Sequence, residues 1–273
     1  MNSDQALTLA SINIERSKHL SRVFSFLEAA SPDVVCLQEV IEEDICAFRN
    51  RLHYQHHVYA PLSLHPDDGR NRSQGLGIFS RLPFVETVEI AYAGEGTGYD
   101  VVDLTSMHSK YRTNRYVLVL VSIAFGGQPF SIANTHFPWT PDGSAAEFQR
   151  KACGNLIAAL IGRELVLCGD FNAPRGGEIF TRLATQWRDN VPSHYVTSID
   201  PKLHRAGPLQ LMVDGLFSTD GYRLRDVVLH NGVSDHCAIT AVVHAQHRHL
   251  SKGPDRSRLV EAEGLPLCDA GDR

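Results

Sequence analysis

The sequence predicts an α/β fold in which two β-sheets pack together and carry helices on their outer faces. Three observations favour it: short apolar segments rich in β-branched residues outnumber segments with helical spacing, several helical segments separate them, and a Gly-Gly turn joins two of the most apolar ones. Of the 273 residues, 43% are hydrophobic and 21% are charged. This composition is typical of a globular protein with enough apolar side chain for a large core.

The N-terminal part alternates between strands and helices. Residues 7–14 are apolar and partly β-branched, and predict a buried strand that ends near Asn13. Residues 17–30 place their apolar side chains on one helical face, and a Ser-Pro pair ends that helix. Residues 34–37 predict a second short strand, which carries Glu39 at its end.

A central hairpin is predicted in the middle of the chain. Residues 116–125 form the most apolar segment, and Gly126 and Gly127 connect it to a second strand over 129–137. We expect both strands to lie in the interior of a sheet. Before this hairpin the sequence predicts a polar helix over 42–52 and a loop over 65–73. A strand with its turn over 75–81 and a second loop over 94–98 follow.

The C-terminal half repeats the alternation and then becomes polar. Residues 144–160 have helical spacing, with Ser144 and Glu147 in the pattern of a capping box. A strand over 164–168, a helix near 177–184, a loop over 190–208 and strands over 211–218, 224–229 and 238–244 follow. We predict one catalytic domain over residues 1–245 and a flexible polar tail over 246–273.

Charge and cysteine content limit the classes of partner. The formal net charge of −5 excludes the broad basic surface with which proteins hold long nucleic acids. The six cysteines are Cys36, Cys46, Cys153, Cys168, Cys237 and Cys268, and none has C-x-x-C spacing. Since Cys36, Cys168 and Cys237 lie within apolar segments, we expect buried, reduced thiols rather than a disulfide framework. No export signal and no apolar stretch of membrane-spanning length is visible, and we expect a cytoplasmic monomer.

Polar residues cluster at the predicted strand ends, where active sites of sheet enzymes assemble. Each one alone has an ordinary explanation, such as a turn former, a helix cap or a core histidine. Their joint occurrence at successive strand ends is not explained in that way. The set comprises Asn13, Glu39, His136, Asp170, Asn172, Asp214, Asp235 and His236.

These residue types suit the hydrolysis of a phosphate ester. The carboxylate of Asp170 accepts a proton from water, and the amide of Asn172 donates to a phosphoryl oxygen without adding negative charge. Glu39 offers the hard oxygen that Mg²⁺ or Mn²⁺ prefers. Asp214 holds the ring of His236 by one nitrogen and stabilises its protonated form.

Seven short motifs together resemble the endonuclease/exonuclease/phosphatase superfamily, which includes DNase I-like nucleases, deadenylases, inositol-phosphate phosphatases and neutral sphingomyelinases. The resemblance covers about residues 7–244. The motifs are the strand that ends in Asn13, LQE (37–39), GIFSR (77–81), NTHF (134–137), GDFN (169–172), VDGLF (213–217) and SDH (234–236). The resemblance implies a four-layer α/β sandwich of two mostly antiparallel sheets flanked by helices.

The resemblance also implies a role for each residue in a hydrolase that depends on Mg²⁺ or Mn²⁺. Glu39 is the principal metal ligand, with Asn13 and Asp235 nearby in the metal shell. Asp170 activates water, Asn172 contacts the phosphate, and His236, paired with Asp214, stabilises charge at phosphorus. His136 is similar to a second family histidine that protonates the leaving oxygen, and Arg115 to an arginine that contacts phosphate.

Two departures and several alternatives stay open. Glu15 stands where many members have an aspartate, so its part in binding metal is undecided, and His136 replaces the tyrosine of the abasic-endonuclease branch. We expect a phosphodiesterase or nuclease, with an inositol-phosphate or sphingomyelinase-like lipid phosphoesterase as the alternative and a phosphate-binding scaffold without turnover as the third reading. Nucleic acid as substrate requires a local basic strip, for which the candidates are Arg70, Arg72, Arg81, Arg112 and Arg115.

Overall fold

The computed structural model describes residues 6–67 and 69–246, which form two β-sheets and five α-helices. The strands are β1 (Ala6–Asn13), β2 (Val34–Ile41), β3 (His56–Asp67), β4 (Arg70–Ser80), β5 (Phe84–Gly94), β6 (Arg115–Phe125), β7 (Gln128–His136), β8 (Val166–Asp170), β9 (Arg188–Asp189), β10 (Asp214–Ser218), β11 (Tyr222–His230) and β12 (Ala238–Ala245). The helices are α1 (Leu20–Ala30), α2 (Ile45–Leu52), α3 (Met107–Thr113), α4 (Glu147–Leu160) and α5 (Glu178–Ala184), and a 3-10 turn over Glu42–Asp44 precedes α2. The predicted tail lies almost wholly outside the described residues, as does Cys268.

Each sheet has six strands and a parallel pair at its centre. The order is β11-β12-β1-β2-β4-β3 in the first sheet and β5-β6-β7-β8-β10-β9 in the second. The pairs β1–β2 and β7–β8 are parallel, and the other pairs are antiparallel. The predicted pair of packed, mostly antiparallel sheets is confirmed, and the predicted hairpin strands β6 and β7 lie in the interior of the second sheet.

Three apolar clusters make this a four-layer sandwich. The first lies between the sheets, where Leu9 and Cys36 of the first sheet share one cluster with Val119 and Cys168 of the second. The second packs α4 and α5 against the outer face of the second sheet, and the third packs α1 and α2 against the outer face of the first. Apolar side chains on both faces explain why the central strands have almost uninterrupted apolar sequences.

The predicted loop over residues 65–73 is wrong, because β3 and β4 extend as a long hairpin through this segment. Its polar residues indicated a loop, but they pair across the hairpin: Arg72 lies opposite His65, and its guanidinium donates to Asp67 at 3.1 Å. The elements β3, β5 and α3 also have no counterpart in the sequence-based predictions. The strand β5 lies at the edge of its sheet, where most of its side chains are at least partly exposed and the apolar pattern is weak.

Helix starts differ from the predictions for local reasons. The first helix begins at Leu20, because Glu15 and Arg16 have positive φ values of 46° and 62° and form a turn. The predicted Ser144–Glu147 capping box is absent from the described structure of α4. Instead, the side-chain oxygen of Gln149 accepts a hydrogen bond from the backbone N–H of Ala146 at 3.2 Å. None of the helices in residues 6–67 and 69–246 is long and apolar enough to cross a membrane.

Strand direction brings the polar residues to one edge of the sandwich. Asn13, His136 and Asp170 lie at the C-terminal ends of parallel strands, as predicted. Asp214 and His236 lie instead at or just before the start of a strand, which corrects the prediction that they follow one. Since β10 and β12 are antiparallel to their central neighbours, their starts meet the same edge, and Asp214 lies directly opposite Asp170.

Gly169 allows the two central strands of the second sheet to approach each other closely. Its φ is +150°, and a Cβ atom at this position would lie 2.0 Å from the carbonyl oxygen of Thr135 on β7. Any side chain would therefore push β8 away from β7, next to Asp170.

We expect Gly169→Ala to lower the free energy of unfolding by about 3 kcal/mol or more, because the added methyl group overlaps backbone that has little freedom to move. Gly162→Ala is the matched control, since Gly162 also has a positive φ of +76° but a Cβ atom there would meet nothing within 4 Å. We expect a loss of about 1 kcal/mol there. Urea unfolding monitored by circular dichroism measures the free energy of unfolding of both variants. Equal losses in the two variants would show that overlap with the backbone of Thr135 does not destabilise the protein.

Candidate active site

Asp170 lies at the centre of the polar cluster and is 1% exposed. Its Oδ1 accepts the backbone N–H of Asn172 at 2.8 Å, and its Oδ2 accepts the side-chain N–H of Asn13 at 3.1 Å. Nε2 of His136 is 3.4 Å from Oδ2. Burial opposes ionisation, but the charge of His236, the contacts with His136 and the Asn172 N–H outweigh burial and lower the pKa of Asp170 to about 2. This carboxylate is therefore ionised at neutral pH.

His236 and Asp214 form a buried pair beside Asp170. Nδ1 of His236 donates to Oδ2 of Asp214 at 2.7 Å, and Nε2 is 3.9 Å from Oδ2 of Asp170. Burial disfavours the charged ring, but the two carboxylates outweigh it and raise the pKa of His236 well above its ordinary value. Burial raises the pKa of Asp214 as well. We place the shared proton on the imidazole, because its ordinary pKa is the higher of the two.

His136 and Asn172 flank the same carboxylate. His136 is the last residue of β7 and lies opposite Asp170 in the parallel register. Asn172 has a positive φ of 48°, so β8 ends at Asp170, and Asp170 and Asn172 lie in a turn rather than on a continued strand. Its amide nitrogen donates to the carbonyl of Phe137 at 2.9 Å. The same nitrogen has a second hydrogen, and Asn172 lines a cavity that also contains Glu39 and His136.

Glu39 reaches the site through a β-bulge in β2. Its φ is +59°, and the register with β4 shifts between Leu37 and Val40. In a regular strand Leu37 and Glu39 would share a face, but here Leu37 and Val40 both pack against the helices. The bulge thus removes Glu39 from the helix-covered face and places it in a cavity that it shares with His136 and Asn172.

Positive groups surround the carboxylate of Glu39. Its Oε2 is 3.0 Å from the guanidinium of Arg16, and its Oε1 is 3.5 Å from the side-chain nitrogen of Asn13. Burial would raise its pKa, but His136, Arg16 and Lys110 outweigh burial and lower it. Glu39 is therefore available as an anionic oxygen ligand.

Asp235 lies in a neighbouring group of possible cation ligands with Glu15 and His19, whose ligand atoms are all within 4.8 Å of one another. Burial raises the pKa of Asp235 to about 6, and the negative charges of Glu15 and Glu39 contribute. The carboxylate of Glu15 is also paired with the ammonium of Lys18 at 2.8 Å and with Nε2 of His19 at 3.0 Å. This set of carboxylate oxygens and one imidazole fits a divalent cation. Glu15, whose side chain is longer than the aspartate of many family members, therefore lies beside the predicted ligand Asp235.

The predicted phosphate-binding arginine lies elsewhere. The guanidinium of Arg115 is paired with Glu89 on the adjacent strand β5, while its sequence neighbours Asn114 and Tyr116 line the cavity next to Glu39. The alternation of side chains along β6 accounts for this. Three other arginines of the predicted strip also contact the protein itself: Arg72 pairs with Asp67, Arg112 pairs with Glu95, and Arg81 donates to the carbonyl of Ser31 at 3.3 Å.

Three cationic residues that the sequence patterns did not indicate border the site instead. Arg16 and Lys110 line the cavity with Glu39, and Arg205 lines a second cavity beside His236. Lys110 belongs to α3, a short helix in a segment with weak periodicity. Burial lowers its pKa, although Glu39 and Asp170 oppose this effect. Its position depends on the path of a loop, which no local sequence signal indicates.

Comparison with known proteins supports the resemblance that the motifs indicate. The sequence model described as the endonuclease/exonuclease/phosphatase family matches residues 10–236. No curated protein sequence matches the chain.

Solved structures share the fold at low sequence identity. An endonuclease/exonuclease/phosphatase from Beutenbergia cavernae superposes with a TM-score of 0.67 and 16% identity, over 88% of this chain and 72% of that one. The human Nocturnin catalytic domain with bound sulfate gives 0.65 and 19%, over 88% and 94%. The mannosyl-6-phosphatase of Bacteroides thetaiotaomicron gives 0.60 and 14%, over 87% and 99%. These matches show the sandwich fold and leave the substrate open.

We expect Asp214→Asn to lower the pKa of His236, since the substitution removes the carboxylate that most strongly favours the charged ring. In the unmodified protein the ring stays protonated as the pH rises through 7, whereas in the variant it loses its proton at a lower pH. NMR titration of the ring resonances, assigned with a His236→Gln variant, measures the difference. An unchanged titration would show that Asp214 does not control this proton.

Proposed function

The chain belongs to the endonuclease/exonuclease/phosphatase family, and on this premise we propose that it is a phosphoester hydrolase that uses Mg²⁺ or Mn²⁺. The observation that supports this most directly is the contact of Asp170 with three groups at once. It lies within hydrogen-bonding or ion-pair distance of Asn13 from one sheet, His136 from the other, and the backbone of Asn172. A bound phosphoryl group beside Asp170 would contact most of the polar residues of the site.

The proposed metal ligands are Glu39, Asn13 and Asp235, with Glu15 beside Asp235. Glu39 and Asn13 are already neighbours at 3.5 Å, and the charge of Glu39 acts on Asp235. The bound cation would supply positive charge that stabilises the phosphoryl oxygens.

The reaction we propose is attack of water on phosphorus. A bond forms between the water oxygen and phosphorus while the bond between phosphorus and the leaving oxygen breaks. Asp170 orients the water and accepts its proton, and His136 donates a proton to the leaving oxygen. Both protons then exchange with solvent, which restores the starting state.

Asn172 and His236 stabilise the charge that develops on phosphorus. The amide of Asn172 donates to one phosphoryl oxygen. The imidazolium of His236 is held by Asp214, its Nε2 lies 3.9 Å from Oδ2 of Asp170, and it lines a cavity that Asn172 also lines. Because the pKa of Asp170 is about 2, Asp170 is a weak base that holds the water in place and takes its proton only as the new bond forms.

We propose a small phosphodiester, or the end of a nucleic acid strand, as the substrate class. The net charge is −5, and the cations at the site line cavities rather than forming a broad exposed surface. Both features disfavour long duplex DNA as the preferred substrate.

We expect Asp170→Asn to reduce turnover of bis-p-nitrophenyl phosphate at least about a hundredfold with little effect on folding, since the amide is nearly isosteric but does not accept a proton. Asp220→Asn is the matched control, because the Asp220 side chain is 80% exposed and lies outside the site. Near-normal turnover by the Asp170 variant would remove this residue from the proposed role.

We expect Glu39→Gln to weaken Mn²⁺ binding at least about tenfold, because it removes the charge of the principal ligand. Titration calorimetry and the electron paramagnetic resonance signal of free Mn²⁺ measure binding without reference to turnover. Glu86→Gln, on the exposed edge strand, is the control. Equal affinity in the three proteins would place the cation elsewhere. Absence of both Mn²⁺ binding and hydrolysis in the unmodified protein would favour a scaffold without turnover.

A further inference from the structure

A second cavity of about 230 Å³ adjoins the proposed catalytic residues on the side of His236. It shares Trp139 and Asn172 with the smaller cavity, of about 70 Å³, that contains Glu39. The phosphoryl position proposed above therefore lies between two cavities, and each is open to one substituent of a phosphodiester.

The two cavities differ in chemistry. The one with Glu39 carries Arg16, Lys110 and Gln74, whose buried Oε1 has no hydrogen-bond partner among the described residues. The second cavity is mainly apolar, with Ile199, Leu209, Leu211, Val213, Pro141 and Pro174 in its walls. An apolar group attached to phosphorus therefore fits the second cavity better than the first.

Trp139 gives the second cavity an aromatic wall. Its side chain is one of the few large apolar groups left exposed in the described structure, at 39%. The ammonium of Lys110, which lines only the first cavity, lies 5.6 Å from the centre of the ring. The indole thus stands between the two cavities, with Lys110 on the side of the first.

Polar groups at the second cavity match the edge of a heteroaromatic ring. His204 and Arg205 lie in its lining, and Thr140, which is 4% exposed, presents a buried hydroxyl without a partner among the described residues. A guanidinium also stacks well on planar rings. A flexible alkyl chain would leave the hydroxyl of Thr140 without a hydrogen bond.

We propose that the second cavity binds a planar aromatic ring of the substrate, stacked on Trp139, so that the preferred substrates are aryl or nucleoside phosphate esters. This inference rests on the proposed hydrolase function for its kinetic consequence, whereas ring binding itself is independent of turnover. Stacking of a base on an aromatic side chain typically contributes about a tenfold or greater gain in affinity.

The first experiment measures binding through fluorescence. The chain has two tryptophans, and Trp187 is 7% exposed within the helix-covered cluster, so Trp139 is the accessible reporter. We expect adenosine 5′-monophosphate to quench the emission of the unmodified protein and ribose 5-phosphate to leave it unchanged. Because Trp139→Phe removes the reporter, the remaining emission of that variant should not respond to adenosine 5′-monophosphate. Equal responses to the two phosphates would overturn the proposal, whether or not the protein is a hydrolase.

The second experiment compares methyl phosphodiesters with and without an aromatic ring, and the adenosine and ribose esters share the same leaving oxygen. The substrates are methyl adenosine 5′-phosphate, methyl phenyl phosphate and methyl ribose 5-phosphate, with product formation followed by chromatography in Mg²⁺. We expect Trp139→Ala to lower kcat/KM for a ring-bearing ester about tenfold more than for the ribose ester. We expect Trp139→Phe, which keeps an aromatic ring, to retain most of the preference in kcat/KM for the ring-bearing esters. The adenosine and phenyl esters distinguish a nucleobase site from a general aryl site.

Tyr99→Ala is the matched control, since Tyr99 is an exposed aromatic residue at 57% that lines neither cavity. If the unmodified protein hydrolyses all three esters but Trp139→Ala slows them equally, the ring site is contradicted and the hydrolase function stands. If it hydrolyses none of them while adenosine 5′-monophosphate still quenches Trp139, the hydrolase function fails and the ring site stands.

Discussion

Buried polar hydrogen bonds between the two sheets are the constraint on which the site depends. The apolar core attracts the sheets to each other but does not fix how one lies over the other, because apolar packing is not directional. Two side-chain contacts near the site do so. Asn13 donates to Asp170 at 3.1 Å, and Gln38 donates to Asn134 at 2.7 Å, with all four residues buried. These contacts hold the ends of the parallel pairs in register, so residues that are far apart in sequence meet around one carboxylate.

The same contacts give the site its charge arrangement. Acidic groups from both sheets lie close together, and burial makes their repulsion stronger than it would be in water. His236 offsets part of this charge beside Asp170, and Arg16 offsets part of it beside Glu39. The site therefore combines a rigid anionic centre, suited to a cation, with cationic side chains from flanking segments that suit the phosphoryl oxygens. In the proposed reaction each group is held in place by a neighbour before the substrate binds, which favours preorganised stabilisation of charge.

Regular strands with strong apolar patterns made much of the sandwich predictable, and the polar residues at their ends predicted that Asn13, His136 and Asp170 would lie close together. The failures have physical causes. The hairpin of β3 and β4 looked like a loop because its polar residues satisfy one another across the strands. Asp214 begins its strand and His236 precedes its strand, and only antiparallel pairing brings them to the same edge. The bulge at Glu39 and the loop path that places Lys110 depend on tertiary packing, which sequence periodicity does not report.

The central claim is that residues from both sheets form one site for a cation and a phosphoryl group. A crystal structure of the protein with Mn²⁺ and inorganic phosphate, with the manganese located by its anomalous signal, tests this most directly. We expect Mn²⁺ bound to the carboxylate of Glu39 and phosphate in contact with Asn172 and His236, with the cation close enough to the phosphate for one phosphate ester to contact both. Manganese bound away from Glu39, or phosphate separated from it by another part of the fold, would contradict this claim.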